Sequence, residues 1–175
     1  LNPSSAASDV YKRQPQIDKL SKSIDVSLAI SLHAPIDKLR DEIVPINKKY
    51  PISELMRSCK DYLSNYAGKR NITIEYVLID GVNDSPELAR KLTKLLSDIS
   101  CKINLIPFNP FEGSNYKRSS KNNINEFKNI LMKKGYITTL RITRGDAIDG
   151  ACGQLVGKLS KSCLLYTSPS PRDSD

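Results

Sequence analysis

Within the stretch 141–155, the end of a basic, β-branched strand is followed by a loop rich in glycine and aspartate that contains a single cysteine, Cys152. Gly150 and Gly153 bracket this cysteine, and glycine permits backbone conformations and close approaches that a side chain would block. A thiol that must meet a substrate needs such access, and its thiolate form is a strong nucleophile. A structural cysteine in a tight loop is the alternative, because free cysteine is among the most buried residue types. The spacing alone leaves both interpretations open.

Two other polar residues follow predicted strands. His33, the only histidine in the chain, comes after the alternating segment 26–32, and Asn109 ends the apolar segment 103–108. Alternation with a period of two predicts strands, and barrel-type α/β sheets carry their sites at the C-terminal ends of strands. His33 is therefore a candidate site residue, with a structural histidine as the alternative. Asn109 by itself is predicted to cap the turn backbone.

The elements that must position these residues alternate along the chain. Strands are predicted at 26–32, 71–79, 103–108 and 137–143. Apolar stripes predict helices between them, one with Pro51 near its start and another with Ser85 as its N-cap. Cys59 lies in the first of these stripes and is predicted to pack in the core. This βαβ alternation predicts an α/β fold with a parallel sheet and outer helices, as the C-terminal portion of a (β/α) barrel.

Composition narrows the class of protein. No apolar run approaches the ~20 residues that span a bilayer, and no secretory signal is visible. Four cysteines at wide spacing indicate a reducing, cytoplasmic setting rather than a disulfide framework. The formal net charge of +8 favours a polyanionic partner, although a solvated lysine-rich surface has the same composition. The loop 111–121, with Tyr116 beside Lys117 and Arg118, suits RNA or is simply solvated.

Both ends of the chain are predicted to be non-native. Residues 4–14 and 163–173 resemble translations of the two adaptors of a sequencing library. Codons that can encode residues 10–14 read, in reverse complement and shifted by one frame, as the sequence of residues 163–167. The predicted organisation is therefore a tail at 1–14, one domain at 15–161 and a tail at 162–175. Ordinary disordered tails are the alternative, which leaves the inverted coding unexplained.

Residues 143–155 (TRGDAIDGACGQL) resemble the C-terminal signature of the RlmN-type radical S-adenosylmethionine (SAM) methyltransferases. Three further motifs agree with that family in order and spacing: residues 27–35 (SLAISLHAP), 44–51 (VPINKKYP) and 104–111 (NLIPFNPF). The resemblance covers about residues 15–159. It implies the C-terminal portion of a radical SAM partial (β/α) barrel with parallel strands.

The resemblance also implies an activity and a set of site residues. These enzymes methylate C2 of an adenine in 23S rRNA and, in some members, in tRNA. The matching motifs assign Cys152 to catalysis, through an S-methylcysteine intermediate, and Ser31, Leu32, His33 and Asn109 to SAM binding. The segment around Cys152 fits the sister activity at adenine C8 less well.

The family also uses a [4Fe–4S] cluster and an electron donor. The family's cluster motif, Cys-x-x-x-Cys-x-x-Cys, is absent from this chain, so no metal ligand is assigned and the chain is expected to be an inactive fragment of a longer enzyme. Two alternatives stay open, a catalytically empty RNA-binding module and a thiol enzyme of another kind that uses Cys152.

Overall fold

The computed structural model describes residues 27–64, 72–111 and 113–141. Four strands alternate with helices along this part of the chain, and the predicted α/β class is confirmed. The strands are β1 (Ala29–Ser31), β2 (Ile72–Leu78), β3 (Cys101–Pro107) and β4 (Ile137–Leu140). The helices are α1 (Asp37–Ile43), α2 (Ile52–Ser64), α3 (Pro86–Leu95) and α4 (Lys121–Lys133), with a 3₁₀ helix at Pro45–Lys48.

The strands form one parallel sheet in the order β1-β2-β3-β4. Each neighbouring pair is joined by a crossover that contains at least one helix, as parallel pairing requires. All C-terminal ends of the strands therefore meet at one edge of the sheet. This edge is where His33 and Asn109 lie.

Helices α2, α3 and α4 cover one face of the sheet and bury the main core, whereas Ile43 of α1 packs in a second apolar cluster with Val77 and Ile106. Alternate strand residues such as Ile30, Ile74 and Ile103 pack there against apolar residues of α2, α3 and α4. Cys59 belongs to this core and is fully buried, which confirms its predicted packing role. Because successive strand side chains point to opposite faces, the residues between these positions lie on the other face.

Local sequence explains where two of the helices begin. The Ser85 hydroxyl accepts a hydrogen bond from the Leu88 N–H at 3.3 Å, and Pro86 occupies the first helical position, as predicted. Ser120 caps α4 in the same way through the Asn123 N–H. In the described part of the chain, no helix has the length and apolar character needed to cross a membrane.

Two features differ from the sequence-based prediction. β1 is shorter than predicted, since its pairing with β2 begins at Ala29 and ends at Ser31. The 3₁₀ helix at Pro45–Lys48 was not predicted, because the buried Asn47 that helps to hold it bonds to Arg40 and Asp41 of α1, outside its own turn.

Candidate functional site

The C-terminal edge of β1 carries a strained turn at His33. The backbone φ of His33 is 61°, in the left-handed region that residues other than glycine seldom occupy. Such strain persists only where surrounding contacts fix it, and it concentrates at functional sites. The contacts that fix this turn come from β2, from the turn after β2 and from α1.

The His33 ring is buried and oriented by β2. Its Nδ1 accepts a hydrogen bond from the Val77 N–H at 3.1 Å, so in the neutral ring the proton resides on Nε2. Burial, together with the nearby Arg40 guanidinium, lowers the pKa of His33 to about 3. Nε2 is buried and has no hydrogen-bond partner among the described residues. The site therefore offers one oriented N–H donor that a ligand acceptor would satisfy.

Asn83 joins the ends of β1 and β2. Its amide nitrogen donates to the carbonyl oxygens of His33 at 2.8 Å and Val77 at 2.6 Å, while its Oδ1 accepts from the Ile79 N–H at 2.7 Å. The side chain is fully buried, so each of these bonds is made away from water. The sequence did not predict this role, because Asn83 lies in a turn segment where asparagine is common without any further function.

Arg40 of α1 holds the backbone of the same turn. Its Nε donates to the Leu32 carbonyl at 2.9 Å, and a terminal nitrogen donates to the Ser31 carbonyl at 3.2 Å. Its other terminal nitrogen donates to Asn47 Oδ1 at 2.6 Å. Burial lowers the pKa of this guanidinium, whereas the carboxylates of Asp37 and Asp41 raise it.

The network around Arg40 continues to α2. The Asn47 amide donates to Asp37 Oδ1 at 2.9 Å and to Asp41 Oδ1 at 2.7 Å. Asp37 Oδ1 also accepts from the Ile52 N–H at 2.8 Å, at the start of α2. The 44–51 motif thus contains Asn47, which links the turn at His33 to the start of α2 through Arg40 and Asp37.

The residues assigned to SAM by resemblance are placed differently from one another. Ser31 lies on the face opposite the helices and is half-buried, whereas the Leu32 side chain lies in the main core. The Leu32 N–H and carbonyl bond to the Glu75 carbonyl and Arg40, so Leu32 shapes the turn through its backbone. Asn109 is exposed just beyond β3, at the same edge but two strands away from His33.

The cysteines of the described region are poor nucleophiles. Burial raises the pKa of the Cys59 thiol to about 12 and that of Cys101 to about 11, so both are protonated at neutral pH. Cys152 lies outside the described residues. Within the residues that the structure describes, no group of three or more His, Cys, Asp or Glu side chains could hold a metal ion.

An apolar cluster covers the edge beside this turn. It consists of Ala34, Ile43, Val77, Ile79, Ile106 and Phe108 and is called the edge cluster below. The rings of Phe111 and Tyr116 pack against Phe108, with centroid distances of 6.2 and 6.0 Å. The basic loop after Phe111 is also tied down by backbone bonds, since Ile79 bridges to Arg118 and the Asp80 N–H donates to the Lys117 carbonyl. Its Lys117 and Arg118 side chains remain exposed.

Comparison with solved structures identifies the class of protein that this fold defines. A crystal structure of a radical SAM methyltransferase from Sphaerobacter thermophilus superposes with a TM-score of 0.77 at 46% sequence identity, over 82% of this chain and 42% of the other. A domain of pyruvate-formate lyase-activating enzyme from Bacteroides vulgatus shares the fold at 17% identity and a TM-score of 0.57. The chain therefore has the fold of radical SAM enzymes.

Sequence comparison identifies the family more closely. The chain is 57% identical over 145 residues to the dual-specificity RNA methyltransferase RlmN of Marinobacter nauticus, and 60% identical over 143 residues to that of a Marinomonas species. It is thus similar to a part of the dual-specificity RNA methyltransferases named RlmN. These matches cover 82–83% of this chain but only 38–39% of the relatives. No protein-family model matches the chain.

The described residues fit SAM but not the iron–sulfur cluster. The Nε2–H of His33 and the hydroxyl of Ser31 are the kind of polar groups that a nucleoside requires. A [4Fe–4S] cluster needs thiolates, and Cys59 and Cys101 do not provide them because burial keeps both thiols protonated.

The low pKa of His33 predicts a measurable loss of stability in acid. Below the unfolded pKa of about 6.5 and above the folded value of about 3, the unfolded chain binds one proton more than the folded chain. Lowering the pH from 7 to 5 therefore removes about 2 kcal/mol of unfolding free energy through His33. His33→Asn, which retains an acceptor for the Val77 N–H and tolerates positive φ, should lack this component in urea unfolding. If both proteins lost the same stability in acid, His33 could not be the cause of that loss.

The Arg40 network predicts a large loss of stability from Arg40→Lys, although this substitution preserves the charge. Arg40→Lys replaces a rigid fork of donors by a single ammonium group, which cannot serve the Leu32 carbonyl, the Ser31 carbonyl and Asn47 together. We expect a loss of about 2–4 kcal/mol of unfolding free energy in chemical denaturation. Arg57→Lys, on the exposed side of α2, is the matched control and should change stability by less than about 0.5 kcal/mol. Equal stability of the two variants would rule out the network as a structural constraint.

Proposed function

We propose that this chain is the SAM-binding and methyl-carrying portion of a radical SAM RNA methyltransferase that methylates C2 of adenine in 23S rRNA and possibly in tRNA. The observation that carries the proposal is the coincidence of the family's SLH motif, Ser31 to His33, with the buried and strained turn at the C-terminal edge of the sheet. An ordinary structural turn has no need of an oriented imidazole N–H without a partner.

Chemical reasoning supports a cysteine as the methyl carrier. Adenine C2 is an electrophilic carbon without a nucleophilic lone pair, so direct transfer of a methyl cation cannot reach it. Cys152 therefore carries the methyl group as S-methylcysteine, after its thiolate has accepted it. One SAM molecule, when bound, would supply the methyl group and leave as S-adenosylhomocysteine. A second SAM molecule, together with a [4Fe–4S] cluster of the longer enzyme, would supply the radical chemistry that activates the S-methyl group.

The remaining site residues take the SAM-binding roles that the family resemblance implies, and their positions support these roles. His33 donates through Nε2 to an acceptor of SAM, Ser31 contacts SAM from the face opposite the helices, and Leu32 shapes the turn through its backbone. Asn109 contacts SAM from the end of β3. The cluster and its electron donor belong to the longer enzyme, and the chain by itself is inactive because it lacks the Cys-x-x-x-Cys-x-x-Cys motif.

A chimera tests this proposal. Residues 15–161 replace the corresponding segment of the Marinobacter nauticus relative, which is 57% identical over the matched 145 residues. We expect the chimera to form 2-methyladenosine in rRNA, measured by chromatography and mass spectrometry of nucleosides. Cys152→Ala should abolish the product, because the proposed methyl carrier is then missing.

Cys101→Ala is the matched control for the chimera, since Cys101 is a partly buried thiol that the proposal does not use. It should retain most of the activity. Product formation in Cys152→Ala would refute the role of Cys152, and 8-methyladenosine as the product would assign the chain to the sister activity. A stable but inactive chimera would favour the alternative function of an RNA-binding module.

That alternative has one observation in its favour. Lys117 and Arg118 are exposed beside the aromatic side chains at the C-terminal edge, on a loop held by backbone bonds to Ile79 and Asp80. A rigid basic loop loses little conformational entropy when it binds a phosphate backbone. RNA contact through this loop is compatible with either function.

RNA binding by this loop predicts a position-dependent effect of charge removal. The double substitution Lys117→Ala and Arg118→Ala should weaken binding of a 23S rRNA hairpin and lower the salt slope by roughly 1 for each phosphate that is no longer neutralised. Fluorescence anisotropy at several salt concentrations measures both quantities. The pair Arg90→Ala and Lys94→Ala, exposed on α3, removes the same charge elsewhere. Equal weakening by both variants would indicate a non-specific charge effect.

A further inference from the structure

A row of polar side chains crosses the sheet on the face opposite the helices. Ser31, Glu75, Asn104 and Thr139 are direct register partners on the four strands, and we call them the polar row. The strand neighbours of Ser31, Glu75 and Asn104 belong to the main core, and Leu140 beside Thr139 packs against it, which places the row on the other face. Ser31, Glu75 and Asn104 are half-buried and Thr139 is exposed, so each side chain of the row is at least partly accessible.

Hydrogen bonds orient the side chains of the row. The Ser31 hydroxyl donates to Glu75 Oε2 at 3.3 Å, and the Thr139 hydroxyl donates to Asn104 Oδ1 at 3.1 Å. Because the Ser31 hydrogen is directed at a carboxylate, the Ser31 oxygen presents its lone pairs to a ligand. Ser31 and Glu75 therefore present hydrogen-bond acceptors side by side on adjacent strands.

The charge of Glu75 has no counterion in the described part of the chain. The ion pairs found there are Lys60 with Asp98 and Lys91 with Glu87, both on the helical side of the molecule. Glu75 is half-buried, and a carboxylate that loses part of its hydration needs donors in its place. The geometry therefore calls for a ligand that brings hydrogen-bond donors to this position.

A vicinal diol has the matching chemistry. Two neighbouring hydroxyl groups supply two adjacent donors, and a carboxylate that binds ribose hydroxyls in this way is a common solution in nucleotide sites. We propose that Glu75, with Ser31, binds the ribose hydroxyl groups of SAM. The inference rests on the proposed function and adds to it a ligand-binding residue from β2.

Binding of S-adenosylhomocysteine to the 175-residue chain, measured by calorimetry, tests the inference without any catalytic readout. Glu75→Gln keeps the shape of the side chain but exchanges one acceptor for a donor, and it should weaken binding roughly 10-fold or more. Glu54→Gln, exposed on α2, removes the same charge elsewhere and should bind like the original chain. Glu75→Asp, which retains the charge, serves if the glutamine variant does not fold.

Two analogues of the ligand distinguish recognition of the ribose diol from a general effect of the Glu75 charge. The 2′-deoxy and 3′-deoxy analogues of S-adenosylhomocysteine should bind the original chain more weakly, while Glu75→Gln should discriminate little between them and the parent ligand. Unchanged affinity in a folded Glu75→Gln protein would overturn this inference and leave the proposed function standing. Failure of the folded original chain to bind S-adenosylhomocysteine would overturn both, because the SAM site itself would then be missing.

Discussion

The buried guanidinium of Arg40 is the constraint on which the described site depends. It donates to the backbone carbonyls of Ser31 and Leu32 and to Asn47, and through Asn47 and Asp37 it links the end of β1 to the start of α2. A buried charge is tolerated only when its hydrogen bonds are satisfied, so this network has one arrangement. That single arrangement holds His33 in its left-handed conformation.

One face of the sheet buries the main core, and the other face carries the polar residues that we propose bind a ligand. On the helical face, alternate strand residues are apolar and bury the main core, which supplies most of the driving force for folding. On the other face, the same strands present Ser31, Glu75 and Asn104 at one level and the apolar residues Val77 and Ile106 of the edge cluster further along. Function can therefore vary on one face without loss of the core.

The two described thiols, Cys59 and Cys101, lie on the side of the main core. Cys59 and Cys101 lie where burial keeps them protonated, whereas glycines flank Cys152 closely along the chain. A protein that uses one cysteine as a methyl carrier benefits when its other thiols are unreactive, because thiolates compete for the same electrophile.

Local sequence patterns correctly predicted the order and type of the main helices and strands, the parallel α/β class, the Ser85 cap and the packing of Cys59. These properties depend on local periodicity and capping, which neighbouring residues encode. The sequence also carried the family resemblance, because motifs are contiguous. Two sets of contacts could be seen only in the folded chain. Arg40, Asn47 and Asn83 hold the turn at His33, and the Ser31 hydroxyl donates to Glu75, 44 residues away along the chain. Such contacts depend on strand register and crossover geometry, which bring distant residues together and leave no periodic trace in the sequence.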